Sequence, residues 1–282
     1  MFNGKVAVVT GGGTGIGKAI TQELLHLGCK VMIASRNEDK LQKAAEEMRQ
    51  NLASNSVAEL DHVQCNIRKE EQVKNMISTT LSRWGKLDFL INNGGGQFIG
   101  KAESFSLKGW NAVIDTNLTG TFLCSKEAYN QWMNGNGGVI INIIADIWKG
   151  FPMMSHSGAA RAAVDNLTKS LSIEWASSGV RVNSIAPGSS IYSETAAANY
   201  GNSKIFDNAI PQVPLKRLGS VEEISTAVCF LLSPASGYIT GETIKVDGGA
   251  SLYKLMLFNV PDHNASKAYT WKDDIEDNKS KL

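Results

Sequence analysis

The chain has 282 residues, and its 28 Lys and Arg against 27 Asp and Glu leave a formal net charge of +1. With 43% hydrophobic and 20% charged residues, the composition is that of a folded globular protein, neither disordered nor fibrous. The balanced charge and the lack of basic clusters argue against nucleic acid or an anionic membrane as the main partner. The longest apolar runs, such as Ala227–Leu232 and Val139–Ala145, are too short to span a bilayer.

The first residues and the cysteines indicate a chain that is not secreted. Met1–Gly4 runs directly into a strand-like segment, without the basic and then apolar pattern of a leader. The cysteines lie far apart, each in an apolar stretch, which predicts reduced core thiols and no disulfide, zinc site or other metal. These cysteines are Cys29, Cys65, Cys124 and Cys229.

Short β-branched runs alternate with amphipathic stretches along most of the chain. The predicted strands are Val6–Thr10, Lys30–Ala34, Asp61–Cys65, Leu87–Ile91, Val139–Ile143, Arg181–Ile185 and Thr243–Val246. The predicted helices include Gly17–Leu27, Glu38–Asn51, Glu70–Trp84 and Gly158–Ser177. Because the strands show little polar alternation, we expect both faces of the sheet to be buried. The pattern predicts an α/β fold with a doubly wound parallel sheet of about seven strands, in one domain over residues 1–250.

A glycine-rich segment follows the first predicted strand and opens the first helix. Its glycines suit a tight turn, a close approach of backbone to phosphate, and close helix packing. The helix N-terminus adds unpaired amide donors and a positive dipole end. Glycine clusters also form ordinary turns, but this position between a strand and a helix predicts a dinucleotide site. The residues expected to contact the dinucleotide are Gly11, Thr14, Gly15, Ile16 and Gly17.

The end of the second strand favours NADPH over NADH. A site that prefers NADH would place Asp or Glu here to hold the ribose hydroxyls, whereas this chain has Ser35 and Arg36. Arg36 can bind a 2′-phosphate through paired charge-assisted hydrogen bonds. The alternative is a solvated arginine before the helix Glu38–Asn51. Lys18 would also lie near the phosphates.

Several short motifs in one order and spacing resemble the short-chain dehydrogenase/reductase family over most of the chain. They are Thr10–Gly17, Asn92–Gly95, Asn117–Gly120, Pro187–Gly188, Ile239–Glu242 and Val246–Gly249. The resemblance implies that Asn93 and Gly94 flank the adenosine and that Asn66 and Ile67 contact the adenine. It also places the residues after Pro187 and Gly188 near the nicotinamide.

The catalytic motif departs from the family pattern. The family has Ser after the fifth strand and then Tyr-x-x-x-Lys on the next helix, where this chain has Ala145, Ser157 and Arg161. Only Asn117 remains, which in the family distorts its helix and binds a water. Serine and arginine cannot exchange a hydroxyl proton as a phenol and lysine do. Alcohol–ketone chemistry is therefore not expected, although Arg161 can still bind the nicotinamide ribose.

Reduction of a carbon–carbon double bond conjugated to a thioester fits the remaining residues. The protein then only has to donate hydrogen bonds to the enolate oxygen and to position the chain. Ser157, Arg161 and Asp165 are spaced to share one helix face. Asp165 would orient a water, or act as the acid if its pKa is raised, or instead pair with Arg161. His156 and Tyr192 are further candidate donors, with packed or surface side chains as the alternative.

Closer similarity to peroxisomal members that act on acyl-CoA comes from segments such as Asn92–Phe98, His156–Ala163 and Val260–His263. It implies NADPH-dependent reduction of the 2,3 double bond of trans-2-enoyl-CoA thioesters in fatty acyl elongation. It also implies a homotetramer built on the helices that contain Asn117 and Arg161. Two alternatives stay open, namely a 2,4-dienoyl-CoA reductase and a catalytically silent NADPH-binding scaffold.

The remaining residues, 251–282, form an extension. Leu252–Val260 is apolar enough to pack on a neighbouring surface, whereas Pro261–Leu282 is polar. The last three residues, Ser280, Lys281 and Leu282, match a peroxisomal address that an import receptor reads. The expected partners are therefore an acyl-CoA thioester and this receptor, in the peroxisomal matrix.

Overall fold

The computed structural model describes residues 1–52, 56–200, 204–253 and 258–272. The strands are β1 (Val6–Thr10), β2 (Lys30–Ser35), β3 (Leu60–Gln64), β4 (Phe89–Asn92), β5 (Gly138–Ile143), β6 (Val180–Pro187) and β7 (Thr243–Val246). In the described residues they form one sheet in the order β3-β2-β1-β4-β5-β6-β7, and every pair is parallel. The predicted doubly wound α/β fold is confirmed.

The helices lie between successive strands, with further ones after β6. They are α1 (Gly15–His26), α2 (Glu38–Gln50), α3 (Glu70–Trp84), α4 (Leu107–Ile114), α5 (Gly120–Ala128), α6 (Asn134–Asn136), α7 (Ser155–Glu174), α8 (Glu194–Tyr200), α9 (Lys204–Ala209) and α10 (Val221–Leu232). Short 3-10 turns occur at Ala102–Ser104, Ala176–Ser178, Ile210–Gln212 and Pro234–Ser236. None of the described helices is both long and apolar enough to cross a bilayer.

Both faces of the sheet are buried, as the continuous apolar strands predict. Successive residues of β1 alternate between two cores, because side chains of a strand point to opposite faces. Ala7 and Val9 lie in the core that α1, α2 and α10 cover, and Val8 lies in the core beneath α3 and α5. The cysteines are unbonded and buried as predicted, and burial raises the pKa of the Cys65 thiol to about 11.

The element boundaries differ from the prediction at two places that matter for the site. β6 continues to Pro187, because its last residues pair with β7 up to Val246. α7 begins at Ser155, three residues before the predicted start, which places His156 and Ser157 in its first turn.

The helix before β5 contains a π-helical stretch. α4 and α5 are joined through the π-helical residues Asp115–Thr119, and Asn117 in this stretch is fully buried. A π-bulge widens one helical turn and re-aims the side chains there, and such bulges are frequent at functional sites. The local distortion that the family resemblance implies at Asn117 is present.

The C-terminal extension packs differently from the expectation. Within the apolar segment 252–260, Leu252 and Phe258 are 80% and 70% exposed and Val260 is half-buried, and residues 254–257 lie outside the described residues. Trp271, only 7% exposed, stacks on the His26 ring with 5.0 Å between centroids. The Trp271 indole offers a larger apolar surface than the Leu252 or Phe258 side chain, and its flat ring can stack on the flat imidazole. We call residues 258–272 the C-terminal strap. Residues 280–282 lie outside the described residues.

Candidate active site

The site lies where the C-terminal ends of the central strands meet. The strand order reverses between β1 and β4, so the loops that follow these strands diverge and leave a crevice. Ligands of open parallel sheets bind at such a point. The predicted residues after β1, β2, β3, β4 and β6 all reach this edge.

The glycine-rich loop has the backbone that a phosphate site needs. Gly11 and Gly15 have φ angles of +66° and +51°, which glycine adopts without strain. A Cβ on Gly17 would overlap the carbonyl oxygen of Gly11, so the first turn of α1 packs directly on the loop. Thr14 precedes α1 in an extended conformation, and its side chain does not cap the helix. The leading amides of α1, including that of Ile16, thus remain available for an anion.

Asn93 and Gly94 bind the end of β4 to this loop. The Thr10 hydroxyl accepts the backbone N–H groups of Asn93 and Gly94 at 3.1 and 2.8 Å, and Asn93 Nδ2 donates to the Thr10 carbonyl at 3.0 Å. Ile67 lies beneath Gly94, where an added Cβ would stand 3.1 Å from its Cδ1. Asn66 Oδ1 accepts the backbone N–H two residues further on at 3.2 Å, which shapes the turn after β3. These contacts hold the loops that follow β3 and β4 in place.

The end of β2 offers an exposed cation. Ser35 is half-buried and closes the strand, and Arg36 is exposed beside it. Asn37 caps α2 by accepting the Lys40 N–H at 2.9 Å, so the helix begins after Arg36 and not through it. A guanidinium placed there can reach a phosphate on the adenosine ribose.

The loop after β6 folds back over the glycine-rich loop. Pro187 ends β6, and the Gly188 N–H donates to the Val246 carbonyl at 3.0 Å. A Cβ on Gly15 would lie 3.5 Å from Ser193 Oγ, so the two loops touch. A cavity of about 820 Å³ lies beside them. Its lining includes Gly13–Gly15, Lys18 and Tyr192–Thr195, together with Ala268 and Lys272 of the strap.

Asn117 and Arg161 meet at the backbone of residues 95–96. Asn117 Nδ2 donates to the Gly96 carbonyl at 2.7 Å, and Asn117 Oδ1 accepts the Gly96 N–H at 3.1 Å. Arg161 Nη1 donates to the Ile143 carbonyl at the end of β5 at 2.5 Å. A Cβ on Gly95 would overlap Arg161 Nη2 and come within 2.7 Å of Asn117 Oδ1. Only glycine fits between these two side chains.

Ser157 is fully buried and acts on a residue that the sequence analysis did not identify. Its hydroxyl donates to Gln97 Oε1 at 2.7 Å, and Gln97 is half-buried at the cleft. His156 Nδ1 accepts the Ser157 N–H at 2.8 Å, and its ring lies against Phe98 and Phe105 at 4.5 and 4.3 Å between centroids. His156 is therefore a packed side chain, which was the alternative to a role as a donor. Ser157 positions Gln97 and does not itself face the cleft.

Asp165 does not meet the condition set for an acid. Thr243, the first residue of β7, donates to Asp165 Oδ1 at 2.6 Å, and Lys169 Nζ lies 2.6 Å from Oδ2. Burial acts to raise the pKa of Asp165, but the hydrogen bonds from Lys169 and Thr243 outweigh it and lower the pKa. The raised pKa on which an acid role for Asp165 depended is therefore not present. Parallel strands begin at the edge opposite the crevice, so Asp165 lies away from the reacting end.

A buried polar network supports the centre of this edge from below. Asn92 Nδ2 donates to Asn142 Oδ1 at 2.9 Å, and Asn142 Nδ2 donates to Thr168 Oγ1 at 2.8 Å. Thr168 and Ser184 share a hydrogen bond of 2.7 Å. The network joins β4, β5, α7 and β6. Asn142 and Ser184, polar residues inside otherwise apolar predicted strands, are the sequence feature that could have indicated this network.

Tyr192, a further candidate donor, is 41% exposed, with its ring against Phe206.

Comparison with known proteins gives matches over almost all of this fold. The family model described as Enoyl-(Acyl carrier protein) reductase matches residues 11–251. The peroxisomal (3E)-enoyl-CoA-producing 2,4-dienoyl-CoA reductase of Danio rerio is 38% identical over 253 residues, which are 89% of this chain and 83% of that protein. The probable (2E)-enoyl-CoA-producing 2,4-dienoyl-CoA reductase of Bacillus subtilis (strain 168) is 37% identical, over 87% of this chain and 96% of that protein.

A solved structure with the same fold is the citronellol catabolism dehydrogenase of Pseudomonas aeruginosa PAO1. Its TM-score is 0.77 at 40% identity, covering 89% of this chain and 96% of that chain.

Proposed function

Because the chain belongs to the short-chain dehydrogenase/reductase family of oxidoreductases, we propose that it is an NADPH-dependent reductase of trans-2-enoyl-CoA thioesters. The observation that carries the proposal is the set of groups at the catalytic edge. Gln97 and Arg161 are half-buried there, held by Ser157 and by the Ile143 carbonyl. No Tyr or Lys stands at the family's proton-exchange positions. Such an edge can stabilise an enolate but is poorly suited to exchange an alcohol proton.

The cradle fits a dinucleotide, and Arg36 fits its phosphate form. The positive φ angles of Gly11 and Gly15 and the uncapped start of α1 suit a pyrophosphate. When bound, NADPH supplies the hydride that the β carbon of the substrate receives. Arg36 would hold the 2′-phosphate, and Arg161 the hydroxyls of the nicotinamide ribose.

The catalytic edge then needs to bind the thioester and to exclude bulk water. We assign to the Gln97 side-chain amide the hydrogen bond that the thioester oxygen accepts. Ser157 holds the amide oxygen of Gln97, and the amide nitrogen carries the N–H groups that donate. Asn117 holds the backbone of residues 95–96 in place beside it. The α carbon takes its proton from water, because Asp165 is ionised and engaged by Thr243 and Lys169.

A second candidate function is 2,4-dienoyl-CoA reduction, which the names of the Danio rerio and Bacillus subtilis relatives favour. Both reactions use the same cofactor cradle and the same donors to the thioester oxygen. They differ in how far the acceptor carbon lies from the carbonyl. A third possibility, an NADPH-binding scaffold without turnover, follows from the missing Ser, Tyr and Lys.

Oxidation of NADPH by the purified chain distinguishes these functions. We expect turnover with trans-2-decenoyl-CoA, whereas turnover only with 2,4-decadienoyl-CoA would establish the second candidate. Cofactor binding without turnover of either would leave the scaffold. Gln97→Ala should lower kcat by about tenfold to a hundredfold if its amide donates to the enolate. Gln131→Ala is the control and should keep the wild-type rate, because Gln131 lies in a second π-helical stretch, Tyr129–Met133, between α5 and α6.

We also propose a peroxisomal location and a homotetramer. Relatives named peroxisomal support the first, and removal of residues 280–282 should leave a fluorescent fusion in the cytosol. Exposed apolar side chains on the two expected interface helices support the second, with Phe122 at 41% and Ile173 at 76% exposure. Light scattering should give the mass of four chains, and Phe122→Glu should lower it.

A further inference from the structure

Two buried hydroxyl groups follow the π-helical stretch on the helix that carries Asn117. Thr121 Oγ1 donates to the Asn117 carbonyl at 2.9 Å, and Ser125 Oγ donates to the Thr121 carbonyl at 2.8 Å. Each hydroxyl thus bonds to the carbonyl four residues before it, a contact that often bends helices. In the π-helical turn itself, the Gly120 N–H reaches back five residues to the Asp115 carbonyl. The Thr121 hydroxyl therefore adds a donor where the helix departs from its regular pattern of backbone hydrogen bonds.

Ser125 also ties this helix to the centre of the sheet. Its oxygen accepts Asn92 Nδ2 at 2.9 Å, and the same amide nitrogen donates to Asn142 Oδ1 at 2.9 Å. A hydroxyl can donate once and accept as well, so Ser125 bonds to α5 and to β4 at the same time. Thr121 and Ser125 are 2% and 0% exposed, so bulk water cannot replace either bond. The hydrogen bonds therefore run from β5 and β4 through α5 to Asn117.

Asn117 extends this support to the catalytic edge. Its side chain bonds to both backbone groups of Gly96, accepting the N–H at 3.1 Å and donating to the carbonyl at 2.7 Å. Gln97 is the next residue, and its amide carries the donor that we assign to the thioester oxygen. The carbonyl and the side chain of Asn117 are attached to one Cα, so a shift of the helical turn moves both. The position of the Gln97 amide thus depends on the turn that Thr121 holds.

We propose that Thr121 and Ser125 are positioning residues for the reduction. They fix the π-helical turn, and through Asn117 they fix the segment that presents the Gln97 amide. This inference rests on the proposed function, since it states what holds the donor to the thioester oxygen in place. A donor that is already in position stabilises the enolate without reorganising during the reaction. Because both hydroxyls are buried, they act through Asn117 and do not contact the substrate.

The test removes the Thr121 hydroxyl while keeping the size of the side chain. Thr121→Val should lower kcat about tenfold, because the Gln97 donor is displaced from the position where the enolate oxygen forms. KM for NADPH should stay the same, since the glycine-rich loop keeps its contacts. Thr121→Ser retains the hydroxyl and should keep the wild-type kcat.

Thr80→Val is the matched control. Thr80 is also fully buried, and its hydroxyl donates at 2.9 Å to the Met76 carbonyl four residues before it. It lies in α3, whose described residues contain no π-helical turn. Thr80→Val and Thr121→Val therefore remove the same bond, and both should lower the midpoint of unfolding in urea. Only Thr121→Val should lower kcat, so a merely structural role is distinguished from positioning.

Ser125→Ala is a second variant, for the case in which Thr121→Val does not fold. It removes the bond to the Thr121 carbonyl and the acceptor of Asn92 Nδ2, while Thr121 keeps its own bond to Asn117. We therefore expect a smaller loss of kcat, about threefold. An unchanged kcat in a folded Ser125→Ala would remove Ser125 from the positioning residues.

Hydrogen exchange of the Gly96 amide, followed by NMR, tests the proposal without turnover. Asn117 Oδ1 accepts this N–H in the wild type, so Thr121→Val should speed its exchange about tenfold, whereas Thr80→Val should not change it. Faster exchange supports the positioning role even if the wild type reduces no enoyl thioester, an outcome that would defeat the proposed function alone. The proposal is overturned if Gly96 exchanges equally in wild type and Thr121→Val. It is also overturned if Thr80→Val lowers kcat as much as Thr121→Val.

Discussion

The two halves of the crevice, which we propose bind the cofactor and carry out the reduction, are built from different parts of the chain. The cofactor half uses backbone, with amides of α1, left-handed glycines and the Thr10 hydroxyl that holds two of the β4 loop's N–H groups. The catalytic half uses side chains, with Gln97, Asn117 and Arg161 meeting across a single glycine. A backbone site tolerates only residues that permit its conformation, whereas side chains can be exchanged one by one. This difference explains how the family's Ser, Tyr and Lys could be replaced while the dinucleotide cradle kept its pattern.

Substitution of Gly17 is expected to have the largest effect. A Cβ there overlaps the Gly11 carbonyl and Asn93 Nδ2, both of which belong to the rigid cradle. Gly17→Ala should weaken NADPH binding at least about a hundredfold, since the loop and α1 cannot keep their contact. Fluorescence titration of NADPH measures the loss. Gly135→Ala is the matched control, because nothing lies within 4 Å of a Cβ at Gly135. Equal affinity in both variants would contradict the backbone account of the cradle.

Arg161 tests the side-chain half. Arg161→Ala removes the donor bound to the Ile143 carbonyl and opens space beside Gly95, so kcat should fall about a hundredfold. Asp165→Asn lies on the same helix and should leave kcat within about threefold of wild type, because the carboxylate bonds to Thr243 and Lys169. Steady-state kinetics with saturating NADPH check both values. A larger loss in Asp165→Asn than in Arg161→Ala would reverse the assignment.

Arg36 is the point where the cofactor half depends on a side chain. Arg36→Ala should raise the Kd for NADPH about tenfold or more, since a charge-assisted pair with the 2′-phosphate is lost. The Kd for NADH, which lacks that phosphate, should stay the same. Lys43→Ala, which removes an exposed cation from α2, is the control. A parallel loss of both cofactors would show that Arg36 acts on the fold of the loop and not on the phosphate.

Glu23 is expected to give the smallest effect, on stability alone. It is buried between α1 and α10, where it bonds to Ser225 and Thr226. Burial raises its pKa above the ordinary 4.5, and these hydrogen bonds offset the burial only in part. The folded state therefore holds the proton more tightly. Its contribution to stability is full below 4.5 and declines as the pH rises through the raised pKa.

Glu23→Gln should remove this decline, because the amide cannot ionise. The free energy of unfolding, measured by urea titration from acid to neutral pH, gives the slope for each protein. Glu46→Gln, on the exposed side of α2, should keep the wild-type slope. A steeper decline in Glu23→Gln than in wild type would contradict the sign of the effect.

The sheet and the cradle could be predicted because their signals are local. Continuous apolar strands such as β1 specify burial on both faces, and the glycines between β1 and α1 specify the turn. The resemblance also implied a helix distortion at Asn117, which the structure has, whereas the binding and catalytic roles that it implies for Asn93 and Asn117 stay predictions. The helical period placed Ser157, Arg161 and Asp165 on one face. It could not show that Asp165, eight positions after Ser157, lies about 12 Å further along the helix and away from the crevice.

Contacts between distant segments could not be read from the chain. The Gln97–Ser157 hydrogen bond joins residues 60 positions apart, and the segment Asn92–Phe98 that carries part of the resemblance gives no role to Gln97. Likewise the segment from Pro261 onward is polar in composition, yet Trp271 within it is buried. A hydrophobicity profile ranks segments by composition. Which ring finds a partner depends on the surface that the rest of the fold presents at that place.

The strap gives α1 a second attachment, at the end opposite the cradle. Gly15 opens α1 at the phosphate position, and His26, its last residue, carries the Trp271 indole. Both attachments require α1 to be folded. A ligand at one end of α1 and the Trp271 indole at the other are therefore coupled, because each stabilises the same helix against local unfolding. Cofactor occupancy should therefore slow both amide exchange and protease cleavage within residues 258–272. The protection of residues 258–272 from exchange and cleavage should then report whether the nucleotide is bound.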